Sequence, residues 1–255
     1  MPLFAKSVFV TCRTKSTRLP NKALLELPNG MKVIEYILGR AKLVGRDYPV
    51  ILCTTLDESD DLLASIAQKE GVFCFRGSTE DKLDRWLKAA QKFNVEHFAT
   101  FDADDLFCSP DLIRSYLESS HASRFDLTRS SSVVPGIFTY GIKVSALKKV
   151  CESKKSLKTE MMWEFFERDP ELNIGELENV PENFCRANLR FTLDYKEDFD
   201  FFLEIFRNLG CKVELSLDHI LRFLENSPEV GRINLQRQMD YLSNQARIIE
   251  EERKS

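Results

Sequence analysis

The sequence is short of the residues that build metal and redox centres. Its 255 residues include three histidines (His97, His121, His219), far apart, and seven cysteines with no CxxC pair. That argues against a histidine-based metal site, a zinc module and a disulfide framework. Several cysteines lie in apolar runs such as "VILCTT" and "VFCFRG", where a thiol acts as a small hydrophobe. No apolar run reaches the length of a bilayer span, and "MPLFAKSVFVTC" has no signal-peptide core. The expected location is therefore cytoplasmic, without a membrane partner. The formal net charge of −4 gives no excess of basic charge with which to hold nucleic acid or a membrane surface. Neither GxxxxGK[ST] nor GxGxxG occurs, so the two common glycine-rich phosphate signatures are missing. Nor is there a Gly/Ser/Pro-rich linker or an internal repeat. The expectation is a single domain over residues 1–234, followed by a polar C-terminal helix or tail at 235–255.

What the sequence does contain is a regular alternation. "SVFVTC", "VILCTT", "VFCF" and "EHFATFD" read as buried strands. Between and after them, "VIEYILGRAKLV", "DESDDLLASIAQKEG", "EDKLDRWLKAAQKF" and "SPDLIRSYLESS" carry apolar residues at helical spacing. This order predicts an α/β chain whose parallel sheet has helices on both faces. Later strands are expected at "FDLTR", "FTYGIKV" and "RANLRFTLD", with helices at "ALKKVCES", "TEMMWEFFERD", "EDFDFFLEIFRNLG" and "DHILRFLEN".

Open parallel sheets bind ligands beyond the carboxyl ends of their strands, so the segment after each strand is informative. The first, "RTKSTRLPNK", gathers Arg13, Lys15, Arg18 and Lys22 with three hydroxyls, a composition suited to a polyanion such as a nucleoside triphosphate. A solvated basic turn would have the same composition. The third strand leads into "RGSTEDKLDR", where Ser78 or Thr79 could simply cap a helix. After the fourth strand come Asp102, Asp104 and Asp105, like charges that are costly together unless a cation offsets them. Mg2+ binds through one or two carboxylates plus phosphate oxygens. Finally "LRFTLDYKEDF" ends an apolar run at Asp194, a second candidate metal carboxylate. Arg190 and Lys196 are near it in sequence, but strand alternation and the following helix could aim both elsewhere.

Together the motifs "R-x-x-S-T-R-L-P-x-K", "F-R-G-S-x-E-D-x-L-D-R", an aspartate strand end with "P-D-L-I", and "R-x-T-L-D-x-x-E-D" resemble the cytidylyltransferases of spore-coat polysaccharide type. These are relatives of the acylneuraminate and 3-deoxy-manno-octulosonate cytidylyltransferases. The resemblance runs from Val8 to about Asn234, since "NSPEVGRIN" also looks like a family ending. It implies a Rossmann-like nucleotide-diphospho-sugar transferase fold with a mixed, mostly parallel sheet. It also implies Mg2+-dependent transfer of CMP from CTP to an acceptor, with release of pyrophosphate, in polysaccharide biosynthesis. By position, Cys12, Arg13, Ser16, Thr17, Arg18 and Lys22 would hold the nucleotide, with Arg13 and Lys22 acting in catalysis. Arg76, Gly77 and Ser78 would lie beside it, supported by Asp84 and Arg85. Asp104 and Asp194 would share the metal. A homodimer is implied, with Val133 to Phe166 as its contact.

The chain departs from the family pattern in places. Lys15 stands where relatives often have glycine, and "ADDLF" replaces Gly-Asp-Cys-Pro-Leu, which alters the turn at Asp105 and Leu106. "TYGIKVSAL" and "KTEMMWEFF" occupy the region that in relatives shapes the acceptor pocket, and differ enough to leave the acceptor open among sugar acids, sugar phosphates and small phosphates or phosphonates. Two other readings remain. One is a glycosyltransferase that uses Asp102-Ala103-Asp104 as a DxD motif; the other is a degenerate, non-catalytic nucleotide-binding protein.

Overall fold

A computed structural model describes residues 4–16, 18–186 and 188–254. The first half alternates as its periodicity predicts: β1 (Lys6–Thr11), α1 (Val33–Lys42), β2 (Val50–Thr55), α2 (Asp61–Lys69), β3 (Phe73–Gly77), α3 (Lys82–Phe93), β4 (His97–Asp102) and α4 (Pro110–Glu118). The second half follows with α5 (His121–Arg124), β5 (Leu127–Arg129), β6 (Tyr140–Lys143), α6 (Val144–Ser153), α7 (Trp163–Glu167) and β7 (Ile174–Glu176). The chain then continues through α8 (Lys196–Leu209), α9 (Leu217–Asn226), α10 (Pro228–Gly231) and α11 (Arg237–Lys254).

One seven-stranded sheet runs in the order β3-β2-β1-β4-β6-β5-β7. β1 pairs in parallel with both β2 and β4, and β2 with β3. β6 alone is reversed, antiparallel to β4 and β5, while β7 lies parallel to β5. Helices cover both faces because the strand side chains alternate. Val8 and Val10 pack with α1, α2 and α4, whereas Phe9 packs with α3 and α6. Phe9 stacks on Phe98 at 4.1 Å, and Trp86 of α3 meets Phe98 edge-on. From β1 the chain steps outward to β2 and β3, then crosses back to place β4 on the other side. The carboxyl ends of β1 and β4 therefore flank a topological switch point, where Thr11 lies level with Asp102.

Helix ends follow local rules. Ser109 caps α4 by accepting from the Leu112 amide at 3.2 Å, with Pro110 in the first turn. α3 differs from expectation: Asp81, rather than Ser78 or Thr79, is its cap, accepting from the Asp84 amide at 3.0 Å. Ser78 instead accepts from the Asp81 amide at 3.1 Å.

One further expectation needs correction. "RANLRFTLD" is not a strand among the described residues. It is a run held by the Phe191 amide on the Pro135 carbonyl and the Leu193 amide on the Asp104 carbonyl, each 2.8 Å. The outer strand is β7. Within the segment expected at a homodimer contact, Val134, Ile137, Met162 and Phe166 are buried in the subunit's own core, while Leu157 is exposed.

Gly136 enables the first of those backbone contacts. It has φ +95, and a Cβ there would lie 2.3 Å from the Phe191 carbonyl oxygen. Gly136→Ala therefore combines a left-handed strain with a backbone clash, and should lower stability by roughly 2–4 kcal/mol in urea denaturation. A midpoint matching the native chain's would contradict this account of the loop.

Candidate functional site

The segments after β1, β3 and β4 converge with the run ending at Asp194. The loop after β1 is fixed at its start by a buried carboxylate. Asp60 accepts from the Thr14 amide at 2.8 Å and the Thr14 hydroxyl at 2.7 Å. Its other oxygen takes the Thr54 hydroxyl at 3.1 Å and the Thr55 amide at 3.2 Å. Burial alone would raise the pKa of Asp60, but hydrogen bonds from Thr55, Thr14 and Thr54 bring it below its usual value. A basic loop is thus anchored by a buried anion that does not line the adjoining cavity.

Beyond Thr14 the cations separate. Lys15 pairs with Asp57 and is mostly exposed. Arg13 reaches Glu160 at 3.4 Å and the Thr79 carbonyl at 3.5 Å. The Ser16 hydroxyl accepts from the Leu19 amide at 3.5 Å. Thr17 lies outside the described residues. Arg18 and Lys22 turn inward. Arg18 donates to Asp194 Oδ1 at 2.5 Å, and its guanidinium lies over the rings of Tyr195 and Tyr241. Lys22 Nζ donates to Asp104 Oδ2 at 2.6 Å, the Leu193 carbonyl at 2.8 Å and Asp194 Oδ1 at 3.1 Å. Burial opposes a charged Lys22, but Asp104 and Asp194 outweigh it and push its pKa up.

Asp194 is 2% exposed and sits in a dense network. Its Oδ2 accepts from Arg190 at 2.7 Å and Thr192 at 3.0 Å. The local cation that sequence spacing left in doubt is therefore present: Arg190 reaches back four residues, and Lys22 and Arg18 join it. Together they outweigh burial and hold the Asp194 carboxyl far below the usual carboxylate range. Asp198 completes the cluster, accepting from the Asp194 and Tyr195 amides at 2.8 and 2.9 Å and from Arg190 and Asn234 at 3.2 and 2.9 Å. Asn234 ends the "NSPEVGRIN" stretch, so that motif closes the site's buried network.

The three aspartates after β4 have different surroundings. Their oxygens lie within 4.8 Å of one another. Asp102 faces Lys82 at 3.4 Å. Burial nevertheless raises its pKa. Asp105 is buried with Thr139 donating at 2.9 Å, and burial, then the charges of Asp104 and Asp102, push it well up. Leu106 belongs to the core.

These groups border a cavity of about 520 Å3. Cys12, Arg13, Ser16, Arg18, Lys22 and Asp104 all line it, while Asp194 stands just behind Lys22 and Arg18. The residues expected after β3 do not line it. Arg76 is turned to the Thr55 and Asp57 carbonyls at 2.8 and 2.9 Å and to Asp61 at 2.6 Å. Gly77 and Ser78 also lie off the lining, where Thr79, Glu80 and Arg85 stand instead. The Arg85 guanidinium holds the Ser78 carbonyl at 2.5 Å, so its support of that turn is direct.

Two further walls close the cavity, one from the start of "KTEMMWEFF" and one, which sequence reasoning missed, from α11. Lys158, Thr159 and Glu160 form one, and Asn244, Arg247, Ile248 and Glu251 of α11 form the other. The Thr159 hydroxyl donates to Asp81 at 3.1 Å, tying the first wall to the α3 cap. Nothing in the polar composition of α11 distinguished it from a solvated tail.

Comparison with known proteins adds to this geometry. The sequence pattern of the cytidylyltransferases matches residues 7–249. The chain is 23% identical over 227 residues to the spore coat polysaccharide biosynthesis protein SpsF of Bacillus subtilis, covering 87% of this chain and 95% of that one. Its fold is similar to that of a cytidylyltransferase from Leptospira borgpetersenii, with TM-score 0.80 and 20% identity over 89% of this chain and 96% of the other. It is also similar to a CMP:2-keto-3-deoxy-manno-octonic acid synthetase complexed with CTP, with TM-score 0.62 and 14% identity over 80% and 98% of the two chains.

The network makes a pH prediction. Asp194 titrates lower folded than unfolded, so its stabilisation is complete above the unfolded carboxylate pKa of ~3.9. It is lost as pH falls toward the folded value. Asp194→Asn should cost roughly 3–5 kcal/mol at neutral pH, because it strands buried cations. It should also flatten the stability loss between about pH 4 and 2. Denaturant titrations across that range check both effects, and parallel pH profiles would refute the second.

Proposed function

Because the chain belongs to the cytidylyltransferase family, we propose that it transfers CMP from CTP to a sugar-acid, sugar-phosphate or small phosphate or phosphonate acceptor, releasing pyrophosphate. The observation that carries this reading is the convergence of Lys22, Arg18 and Asp104, with Asp194 behind them, at a cavity bordered by the basic loop.

The proposed chemistry asks for little covalent participation from the protein. An acceptor oxygen attacks the α-phosphorus of CTP, a new P–O bond forms, and the bond to the β-phosphate oxygen breaks. Such transfers are accelerated mainly by positioning and by neutralising charge. Lys22, Arg18 and Arg13 would hold the triphosphate, which carries about four negative charges. Ser16 and the loop amides would orient it. Walls from the 158–160 segment and α11 would exclude water and receive the acceptor.

The residues fit a divalent cation. Asp104 and Asp194 are hard oxygen donors, and the Lys22 ammonium already lies between them as a stand-in cation. When bound, Mg2+ would screen the phosphate oxygens and stabilise the charge of the leaving pyrophosphate.

One competing arrangement has a specific observation in its favour: Asp102, Asp104 and Asp105 have oxygens close enough to share an ion, as a DxD glycosyltransferase would need. The burial of Asp105 and the Lys82 contact to Asp102 weigh against it.

A pyrophosphate-release screen of four nucleoside triphosphates with Mg2+ against those acceptor classes tests the assignment, and CTP should be the productive nucleotide. Asp104→Asn should lower kcat on the order of 10²–10⁴-fold. Asp102→Asn should cost far less. Equal losses would favour the DxD arrangement, and no pyrophosphate with any acceptor would overturn the transferase reading.

A further inference from the structure

We propose that Lys154, which lies outside the cavity, is a positioning residue for the acceptor: with Asp81 and Thr159 it fixes the wall that carries Lys158 and Glu160. This rests on the transferase reading, in which that wall receives the acceptor.

The wall belongs to the irregular segment between α6 and α7, residues 154–160, and it has no apolar anchor. Its single apolar side chain, Leu157, is 71% exposed, and Lys155, Lys158 and Glu160 are exposed as well. The groups that turn inward are polar. Thr159 is fully buried, and the Lys154 and Asp81 side chains are each 6% exposed. A loop of this kind takes its order from its hydrogen bonds.

Those bonds converge on the start of α3. The Lys154 ammonium donates to Asp81 Oδ2 and to the Ser156 carbonyl, the second at 3.1 Å. Asp81 Oδ1 accepts from the Asp84 amide at 3.0 Å and from the Thr159 hydroxyl at 3.1 Å. The Thr159 oxygen in turn accepts from the Leu83 amide at 3.2 Å. Two amides of the first helical turn have no helical carbonyl to bind. Asp81 caps one of them, and Thr159, 76 positions beyond Leu83, caps the other. The Thr159 amide on the Glu80 carbonyl at 3.4 Å adds a backbone link.

A buried ion pair adds little net stability, but displacing one partner strands the other, so the arrangement tolerates one geometry. Thr159 cannot slide without uncapping Leu83, and Lys158 and Glu160 flank it at the cavity. Lys154 and Asp81 do not line the cavity, so they act on a bound molecule through this wall. The triphosphate side is anchored separately, by Asp60 and by the Asp104–Asp194 cluster. Its link to the wall through Arg13 and Glu160, at 3.4 Å, joins two partly exposed groups and is weak. Disturbing the wall therefore changes acceptor binding and leaves CTP binding in place.

Lys154→Met and Thr159→Val test this in the full chain. With an acceptor found productive in the pyrophosphate screen, each should raise acceptor KM about 10-fold, while CTP KM and kcat at saturating acceptor stay within about twofold. Hydrogen–deuterium exchange without substrate should be about 10-fold faster at residues 155–160 and unchanged in β1 and β4. If Lys154→Met does not fold, combining it with Asp81→Asn removes both charges, keeps an oxygen for the Asp84 amide and carries the same expectations. CTP and acceptor KM rising together would overturn the proposal. So would a fall in kcat with both KM values unchanged, or exchange at 155–160 equal to that of the native chain. The exchange measurement needs no substrate, so it decides the placement of the wall even where no acceptor yields pyrophosphate, the result that fails the transferase reading.

Discussion

The site is organised around one ammonium group shared by two carboxylates. Lys22 comes from the segment after β1, Asp104 from the segment after β4, and Asp194 from an extended run near the other end of the chain. No continuous element brings these three together. Burying a lysine is unfavourable, and burying an aspartate is equally so, but each removes the other's penalty when the hydrogen bonds are complete. A buried ionic cluster of this kind contributes more to position than to net stability. A shift of either aspartate that broke its contact would leave a charge without a partner. The Leu193 amide on the Asp104 carbonyl repeats the same link in the backbone.

The basic loop after β1 shows a related use of buried charge. Glycine-rich loops approach phosphate through conformational freedom and exposed amides. Here, instead, Asp60 sits behind the loop and fixes Thr14 by amide and hydroxyl, so the cations beyond it project from a rigid start. Lys15, where a glycine would be expected, is tied to Asp57 at the edge of the cavity and leaves the Thr14 anchor intact. Leu106, the other departure, is absorbed by the core.

How much of this could be read from the sequence follows from the range of each interaction. The first four strands and helices were legible because their periodicity is local. β6 runs against its neighbours, β7 forms the outer edge, and residues 188–194 stay outside the sheet, because these outcomes depend on partners distant in sequence. In the site, the meeting of Lys22 with Asp104 follows from the rule that strand ends share one edge. The cations around Asp194 do not, since Arg190 had to turn back and Arg18 had to cross from the other end of the chain. Arg76 was a candidate through its motif, yet two carbonyls of the preceding strand and loop claimed its guanidinium. Much of the apolar "VVPGIF" and "MMWEFF" segments enters the core, because the loop around Gly136 and the start of α7 pack inward.

The C-terminal helix shows where pattern reading reaches its limit. α11 has no broad apolar stripe, and its Met239 and Leu242 are exposed. A helix polar all round is expected to be solvated. Yet α11 docks through groups that composition counts as surface. Arg237 forks onto Glu197 at 3.0 and 2.7 Å, and Gln238 accepts from Arg190 at 3.0 Å. The Tyr241 ring lies under both Arg18 and Arg190, with the Arg190 guanidinium 4.5 Å from its centre. The contacts to Arg18 and Arg190 use partners that the ionic cluster holds for other reasons. Arg190 is held by Asp194 and Asp198, and Arg18 by Asp194, independently of the helix. Planar guanidinium faces fixed in this way offer an aromatic ring a surface to stack on without further loss of side-chain freedom. The helix therefore needs no hydrophobic stripe of its own. Its docking surface is the back of the same ionic cluster that faces the cavity, and that surface exists only once residues far apart in the chain have assembled.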